Sequence, residues 1–488
     1  MLRFFPILSG SSSKYLTVIA IIVTMGAAIG ISRVVGENEA LAFYAIFGVA
    51  VFIFAFLNTD FALSVLILSM LLSPEFSIGG AGGAGQMAQR GVVVRIDDLL
   101  LGLIMLSWLV KTAVNKEIGI IVRSPLNRPI FYYIVASLFA TVLGIFLGNV
   151  RPLIGILYNI KYFQYFLIYF MVLSHVQDLA TLKKFVKLLL ITSVIVSIYA
   201  LAQIPSGVRV SAPFEGEGGE ANTLGGYLIV IMSMVAGIMT GFKKKSHIAT
   251  LALALGLMLI PFAFTLSRSS WVSLFPALVA LLIYSNRRRY ILGALMISLI
   301  ILPAVMPGAV YERIEYTFAM ENTLRDDVVK VGDTSLDPST SERIQSWSST
   351  LAQWTERPIF GWGVTGAGFK DAQYFRVLVE TGVIGFGLFI ALLVSIHRTA
   401  VRNLKQIDVN KYPSYHGLIV GFIAGFWGLL MHSVGANTFI IVRVMEPFWF
   451  LTGLMVVLPS LIAKEEEEGV LQPVESVKWK KKFQRRFR

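Results

Sequence analysis

Arg268 stands in the stretch FTLSRSSWVS, with only Leu266 and Ser267 between it and a long apolar run. A guanidinium presents a planar fork of donors that matches a phosphate group. Alone, Arg268 is either an anion ligand or an ordinary loop arginine. Arg209, in GVRVSAPFEGEGGEAN ahead of Asn222, offers a second guanidinium that could share the charge of a diphosphate, or a solvated loop side chain. Arg443 and Glu446 lie inside FIIVRVMEPFWF, three residues apart and so on one side of a helix. They read as an intramembrane ion pair, or as an arginine facing an outward cavity. Lys161 and Gln164 in NIKYFQYF pose the same choice and read as structural. Charge inside apolar runs is expensive, which makes each of these a candidate site residue. Of the five histidines, His432 in LLMHSVGAN is the one near the outer face. A neutral imidazole there could serve as a general base, or simply pack. HExxH, paired CxxC, DxD and Walker A patterns are absent, so no metal site and no ATP hydrolysis is expected. GWGVTGAGF follows no strand and is not read as a phosphate loop.

The elements that must position these residues follow from composition. The chain has 488 residues, 56% hydrophobic and 15% charged. A soluble domain is about half apolar and about one quarter charged. The difference excludes a soluble enzyme, a disordered chain and a nucleic-acid-binding module. The excess apolar residues come in runs of about 20, enough to span ~30 Å of hydrocarbon. Alternating ~10-residue segments of a β-barrel are missing. The expected fold is all-α: a polytopic integral membrane helical bundle of about fourteen transmembrane helices. The spans fall near 15–32, 39–57, 60–74, 97–114, 130–148, 153–173, 186–205, 223–241, 248–266, 269–285, 290–307, 374–396, 415–434 and 439–462. The opening MLRFFPILSGSSSKY has no cleavage pattern, so 15–32 is expected to remain as a span. With both termini in the cytoplasm, clusters such as FKKKSH and NRRR all fall inside. The net charge of +13 is therefore read as topology and not as affinity for nucleic acid. Cysteine is absent, so there are no disulfides and no thiolate chemistry.

The chain divides into transmembrane helices 1–11 over 1–307, an extracytoplasmic loop over 308–373, helices 12–14 over 374–463, and a charged cytoplasmic tail over 464–488. Within the loop, 340–356 reads as an amphipathic helix with Trp347, Leu351 and Trp354 on one face, stopped by Pro358. Two further outer loops, 75–96 and 206–222, are Gly-rich. In the tail, Trp479, Phe483 and Phe487 form a stripe among bases, either an interfacial helix on anionic lipid or a solvated end.

The segment ERIQSWSSTLAQWTERPIFGWGVTGAGFKDAQYFRVLVETGVIGFGLF resembles a signature of the O-antigen ligase and O-antigen polymerase superfamily. The matching positions are Arg343, Trp347, Pro358, Gly361, Gly363, Asp371, Gln373, Tyr374, Glu380, Thr381, Gly382 and Gly385. FTLSRSSWVSL resembles the family's Thr-x-Ser-Arg turn, and RVSAPFEGEGGEANTLGGYL its approach to a span. The resemblance covers roughly 155–455. It implies a GT-C-like, metal-independent glycosyltransferase without cofactor, on the outer face of the bacterial cytoplasmic (inner) membrane. Its donor would be an undecaprenyl-diphosphate-linked glycan. Its surroundings would be membrane lipids, with a flippase and a chain-length regulator of the same pathway as partners. Arg209 and Arg268, with Arg443 as a third candidate, would hold the diphosphate. Arg343, Gln373 and Tyr374 would serve the substrate from the loop, and the base would be Asp371, Glu380 or His432. Ligases of this family carry a His-Asn element where this chain has Asp371-Ala372-Gln373-Tyr374. That departure favours polymerisation of lipid-linked repeat units. The alternatives are an O-antigen ligase or a protein O-oligosaccharyltransferase. A transporter or flippase is disfavoured, because no internal repeat is found.

Overall fold

The computed structural model describes residues 53, 55–78, 92–114, 122–215, 219–305, 308–318, 330–331, 334–335, 338–368 and 370–471. The expected span 15–32, nearly all of 39–57 and the aromatic stripe of the tail lie outside these residues. From 60–74 onward, each expected apolar run coincides with a helix. These are α1 (Thr59–Leu72), α2 (Ile96–Val114), α3 (Asn127–Phe146), α4 (Pro152–His175), α5 (Leu179–Gln203), α6 (Ala221–Gly241), α7 (Lys245–Phe264), α8 (Arg268–Tyr284) and α9 (Arg288–Val305). In the expected loop lie α10 (Gly308–Phe318) and α11 (Pro338–Glu356), the second being the amphipathic helix read from the sequence. The last three long helices are α12 (Gln373–Gln406), α13 (Pro413–Gly435) and α14 (Val442–Leu471). Among the described residues, eight helices are long and apolar enough to cross a membrane. The protein is an all-helical membrane bundle with two small antiparallel ribbons. One ribbon, unexpected from the Gly-rich 75–96 segment, joins β1 (Glu75–Ile78) to β2 (Val92–Arg95), with Glu75 opposite Arg95. The other joins β3 (Lys330–Val331) to β4 (Thr334–Ser335).

Glycine sets the centre of the bundle. A Cβ at Gly237 of α6 would stand 2.3 Å from Gly421 N and 2.4 Å from Gly417 O of α13. A Cβ at Gly225 would stand 1.9 Å from Ser270 Oγ of α8. Gly428 of α13 approaches Ser273 and Ala277 of α8 in the same way. Apolar side chains gain nothing by leaving lipid tails, so close backbone approach through small residues drives this packing. Its consequence is positional. The ends of α6, α8 and α13 that carry Asn222, Ser267–Ser270 and His432 are brought together. The connections 207–215, 265–268, 370–372 and 436–441 gather at that same end, the mouth. Lys411, Glu466, Lys464 and Gln177 interact at the opposite end, the base.

Helix α12 is broken at Gly382, where φ is 64° and ψ is −171°. A break in a membrane-spanning helix frees carbonyl and N–H groups that lipid cannot satisfy. Here the turn after Pro358 satisfies them. Trp362 N donates to Val379 O at 2.9 Å and Gly363 N to Glu380 O at 2.8 Å. In return Val383 N donates to Pro358 O at 2.8 Å and Ile384 N to Ile359 O at 3.4 Å. The Glu380 carboxylate accepts from Thr365 N at 3.1 Å and from Arg376 Nε at 3.2 Å. Arg376 also donates to the Tyr162 hydroxyl. The Pro-x-x-Gly-x-Gly and Glu-Thr-Gly elements are thus two halves of one backbone clasp.

Two buried charge nodes tie distant segments at the mouth. Arg443 donates to the carbonyls of Pro213, Ser73 and Phe214, and Glu215 lies 3.9 Å away. Glu446 faces Arg95 at 3.8 Å, and Arg95 also pairs with Asp97. The expected Arg443–Glu446 pair is therefore corrected. The two share a helix side but take partners from different loops, because each long side chain reaches a different neighbour. Lys161 pairs with Asp98 at 3.5 Å and Gln164 donates to the same carboxylate, in line with their structural reading. Arg95→Ala leaves Asp97 and Glu446 buried without their cation. We expect a loss of about 3–5 kcal/mol, read as a large drop in the melting temperature of the detergent-solubilised protein. Glu446→Gln should lower it far less.

Candidate active site at the mouth of the bundle

The turn between α7 and α8 is tight. Leu266 has φ 48°, in the left-handed region that costs a non-glycine residue about 1–2 kcal/mol. The neighbouring loop holds it there: Val210 N donates to Phe264 O at 3.2 Å and Arg209 Nε to Thr265 O at 3.1 Å. Ser267 then caps α8, accepting from Ser270 N at 3.3 Å. Arg268 is the first residue of the helix. A helix start with free N–H groups and a positive dipole end favours anions.

Arg209 and Arg343 flank this helix start, which carries Arg268, and Arg313 acts on the Arg209 charge. Arg209 is exposed, and its hold on its proton is weakened first by partial desolvation and then by the like charges of Arg313, Arg343 and Arg268, with Glu220 opposing. Arg343 of α11 stands over the end of α13: a Cβ at Gly435 would lie 3.8 Å from its Nη1 and 2.3 Å from Ser269 Oγ. Asp371 meets Arg343 Nε at 3.8 Å. Burial lifts the Asp371 carboxyl above the usual carboxylate range, and the Arg343 charge partly offsets this. With half of its side chain exposed, Asp371 can reach a substrate in the mouth.

Beneath the arginines runs a chain of hydroxyls. Ser267 Oγ donates to Asn222 Oδ1 at 2.6 Å, and Ser270 Oγ donates to Ser267 Oγ at 2.8 Å. His432 Nε2 lies 3.2 Å from Ser270 Oγ, and its Nδ1 lies 2.7 Å from Thr438 Oγ1. Since the Ser270 proton is already used, the chain is satisfied by a neutral ring with hydrogen on Nε2 and Nδ1 accepting from Thr438. His432 is fully buried, with both nitrogens engaged.

The remaining sequence-derived candidates hold the framework. Gln373 Oε1 accepts from Phe439 N at 3.0 Å, and the Tyr374 hydroxyl donates to Leu430 O at 2.7 Å. Asn437 Nδ2 donates to Lys370 O at 2.6 Å. These bonds stitch the start of α12 to α13 and to the α13–α14 connection. Trp347 of α11 stacks on Phe375 of α12 at 5.2 Å, so α11 packs over the mouth. Leu351, expected on the same apolar face, is exposed. Arg209, Arg268, Arg343 and Asp371 are thus brought together. Glu380 lies in the clasp and Arg443 in the Glu215 node. Arg313 escaped the sequence reading, because nothing in YERIEY sets it apart from other loop bases. Among the described residues, no group of three His, Asp or Glu side chains is placed to hold a metal ion.

The O-antigen ligase family matches residues 251–390, from α7 to the first half of α12. The matched stretch holds Arg268, Arg313, Arg343, Asp371 and the whole clasp. No curated protein matches the chain. The segment that carries these residues is thus similar to the O-antigen ligase family.

Proposed function

We propose that the protein polymerises undecaprenyl-diphosphate-linked oligosaccharide repeat units on the outer face of the bacterial cytoplasmic membrane. It would do so as a fourteen-span bundle with both termini in the cytoplasm. The observation that carries the reading is the gathering of Arg209, Arg268 and Arg343 at the start of α8, with Asp371 beside Arg343. In the reaction the acceptor hydroxyl oxygen attacks the anomeric carbon of the donor sugar. The bond from that carbon to the phosphate oxygen breaks, and the diphosphate leaves with the electron pair. The guanidinium groups stabilise the growing negative charge, the role of preorganised donors at a transition state. Asp371 takes the acceptor proton. His432 is a positioning residue, fixing Ser270 and through it the α8 cap.

Purified protein given a lipid-linked oligosaccharide should produce a ladder of products on a gel. Transfer of a single glycan to a lipid core without laddering would instead support a ligase, the activity after which the matching family is described. Absence of any transfer would reject both.

Asp371→Asn should slow laddering ~10²–10⁴-fold, the usual worth of a general base. In the native chain the rate should fall as pH drops through the raised Asp371 pKa, because the base must be ionised. Arg343→Ala removes the offsetting charge, so this acid limb should move to higher pH. A limb unmoved by Arg343→Ala in a pH–rate profile would show that another group is the base.

A further inference from the structure

At the base end a cavity of about 460 Å³ opens between the last turns of α8 and α12, lined by Tyr284, His397, Arg398, Arg402, Lys405 and Gln406. Arg398, Arg402 and Lys405 follow at steps of four and three, which places them on one stripe of α12. Among the described residues none of the three forms an ion pair. His397 Nε2 lies 3.4 Å from the Tyr284 hydroxyl, while its Nδ1 is shut off from solvent without a hydrogen-bond partner. One turn toward the middle of the bundle the surroundings become apolar. Val394, Ile283 and Trp427 are exposed there, and Trp427 meets the His397 ring edge-on at 5.5 Å.

Cations at the end of a helix balance its dipole and mark the cytoplasmic side, and both effects work without a cavity. Here the cations rim a cavity that also holds a phenol and an unpartnered ring nitrogen. The order of groups, bases first and an exposed apolar row one turn deeper, is the order of phosphate and acyl chain in a phospholipid. Basic pockets between transmembrane helices bind anionic headgroups in this way. We propose that this cavity binds the phosphate of an anionic phospholipid, held by Arg398 and Arg402, with its acyl chains along Val394 and Ile283. The site lies at the far end of α12 from the mouth and is independent of the polymerase reading.

The full chain in detergent would be mixed with phosphatidylglycerol, with phosphatidylcholine, or with phosphatidylglycerol plus equimolar inorganic phosphate, and retained lipid counted by native mass spectrometry. We expect phosphatidylglycerol to be retained well above phosphatidylcholine. Arg398→Gln combined with Arg402→Gln should cut that retention roughly 20- to 30-fold, at about fivefold per base. The gel-filtration profile should not change. If that variant does not fold, a salt titration of the native chain decides: phosphatidylglycerol should be released as ionic strength rises, and phosphatidylcholine should not. Equal retention of the two lipids, unchanged retention in the folded variant, or salt-independent retention would overturn the proposal. Loss of phosphatidylglycerol to equimolar phosphate would overturn it in favour of a free-anion site.

Discussion

Arg268→Ala is expected to abolish laddering while leaving a folded, inserted protein. Arg268 is the first residue of α8 and partly exposed at the mouth, so its removal opens no core cavity. The Ser267 cap and the Ser270–His432 contact do not depend on its side chain. What is lost is charge stabilisation on a departing diphosphate. By analogy with one oxyanion donor this is ~2.7–4 kcal/mol, or roughly 10²–10³ in rate. Arg268→Lys should recover only part, because a point charge cannot reproduce the bidentate fork. Arg209→Ala should cost less. Arg313, Arg343 and Arg268 already act on that position, and removing one of four crowded cations relieves repulsion among the rest. Product ladders at matched expression, with gel filtration as the folding control, test the series. Native laddering by Arg268→Ala would reject the diphosphate assignment.

Gly382→Ala is expected to have the largest effect on the fold. The glycine occupies φ 64°, ψ −171°, a region essentially closed to other residues. A Cβ there would stand 2.2 Å from Ile359 O and 2.3 Å from Ile359 C, both backbone atoms of the clasp. Strain of about 1–3 kcal/mol and overpacking of about 1–3 kcal/mol add together. The clasp must then open, leaving four backbone hydrogen bonds without partners at membrane depth. We expect no monodisperse protein by fluorescence-detected gel filtration. Gly387→Ala is the control, since a Cβ at Gly387 meets nothing within 4 Å.

The helices were legible because lipid demands unbroken apolar runs, and such runs are local in sequence. α6, α8 and α13 could be placed from their own residues alone. The arginines were legible one at a time, since Arg209 and Arg268 are cations next to apolar runs. Their meeting with Arg313 was not, because it depends on how α10 folds back over the bundle. The Glu-Thr-Gly element was visible as a motif, but its purpose was hidden. Glu380 looks like a candidate base in sequence, and only the partner turn at Thr365 reveals a carboxylate committed to backbone and to Arg376. Arg443 and Glu446 show the limit of helical spacing. Sharing a face says which way two side chains start, and not which loops will arrive to meet them.

The partners of α14 have a consequence for biosynthesis. Ser73, Arg95 and Pro213 are translated early, whereas Arg443 and Glu446 belong to α14. Until that span emerges, the early segments lack the cation that gathers their carbonyls and the carboxylate that faces Arg95. Contacts of such sequence separation form late, after the chain entropy of a long loop has been overcome. The last helix therefore acts as a closing latch. A chain stopped before Val442 would hold its earlier spans in the bilayer with the mouth still open, so the mouth is completed only once α14 has emerged.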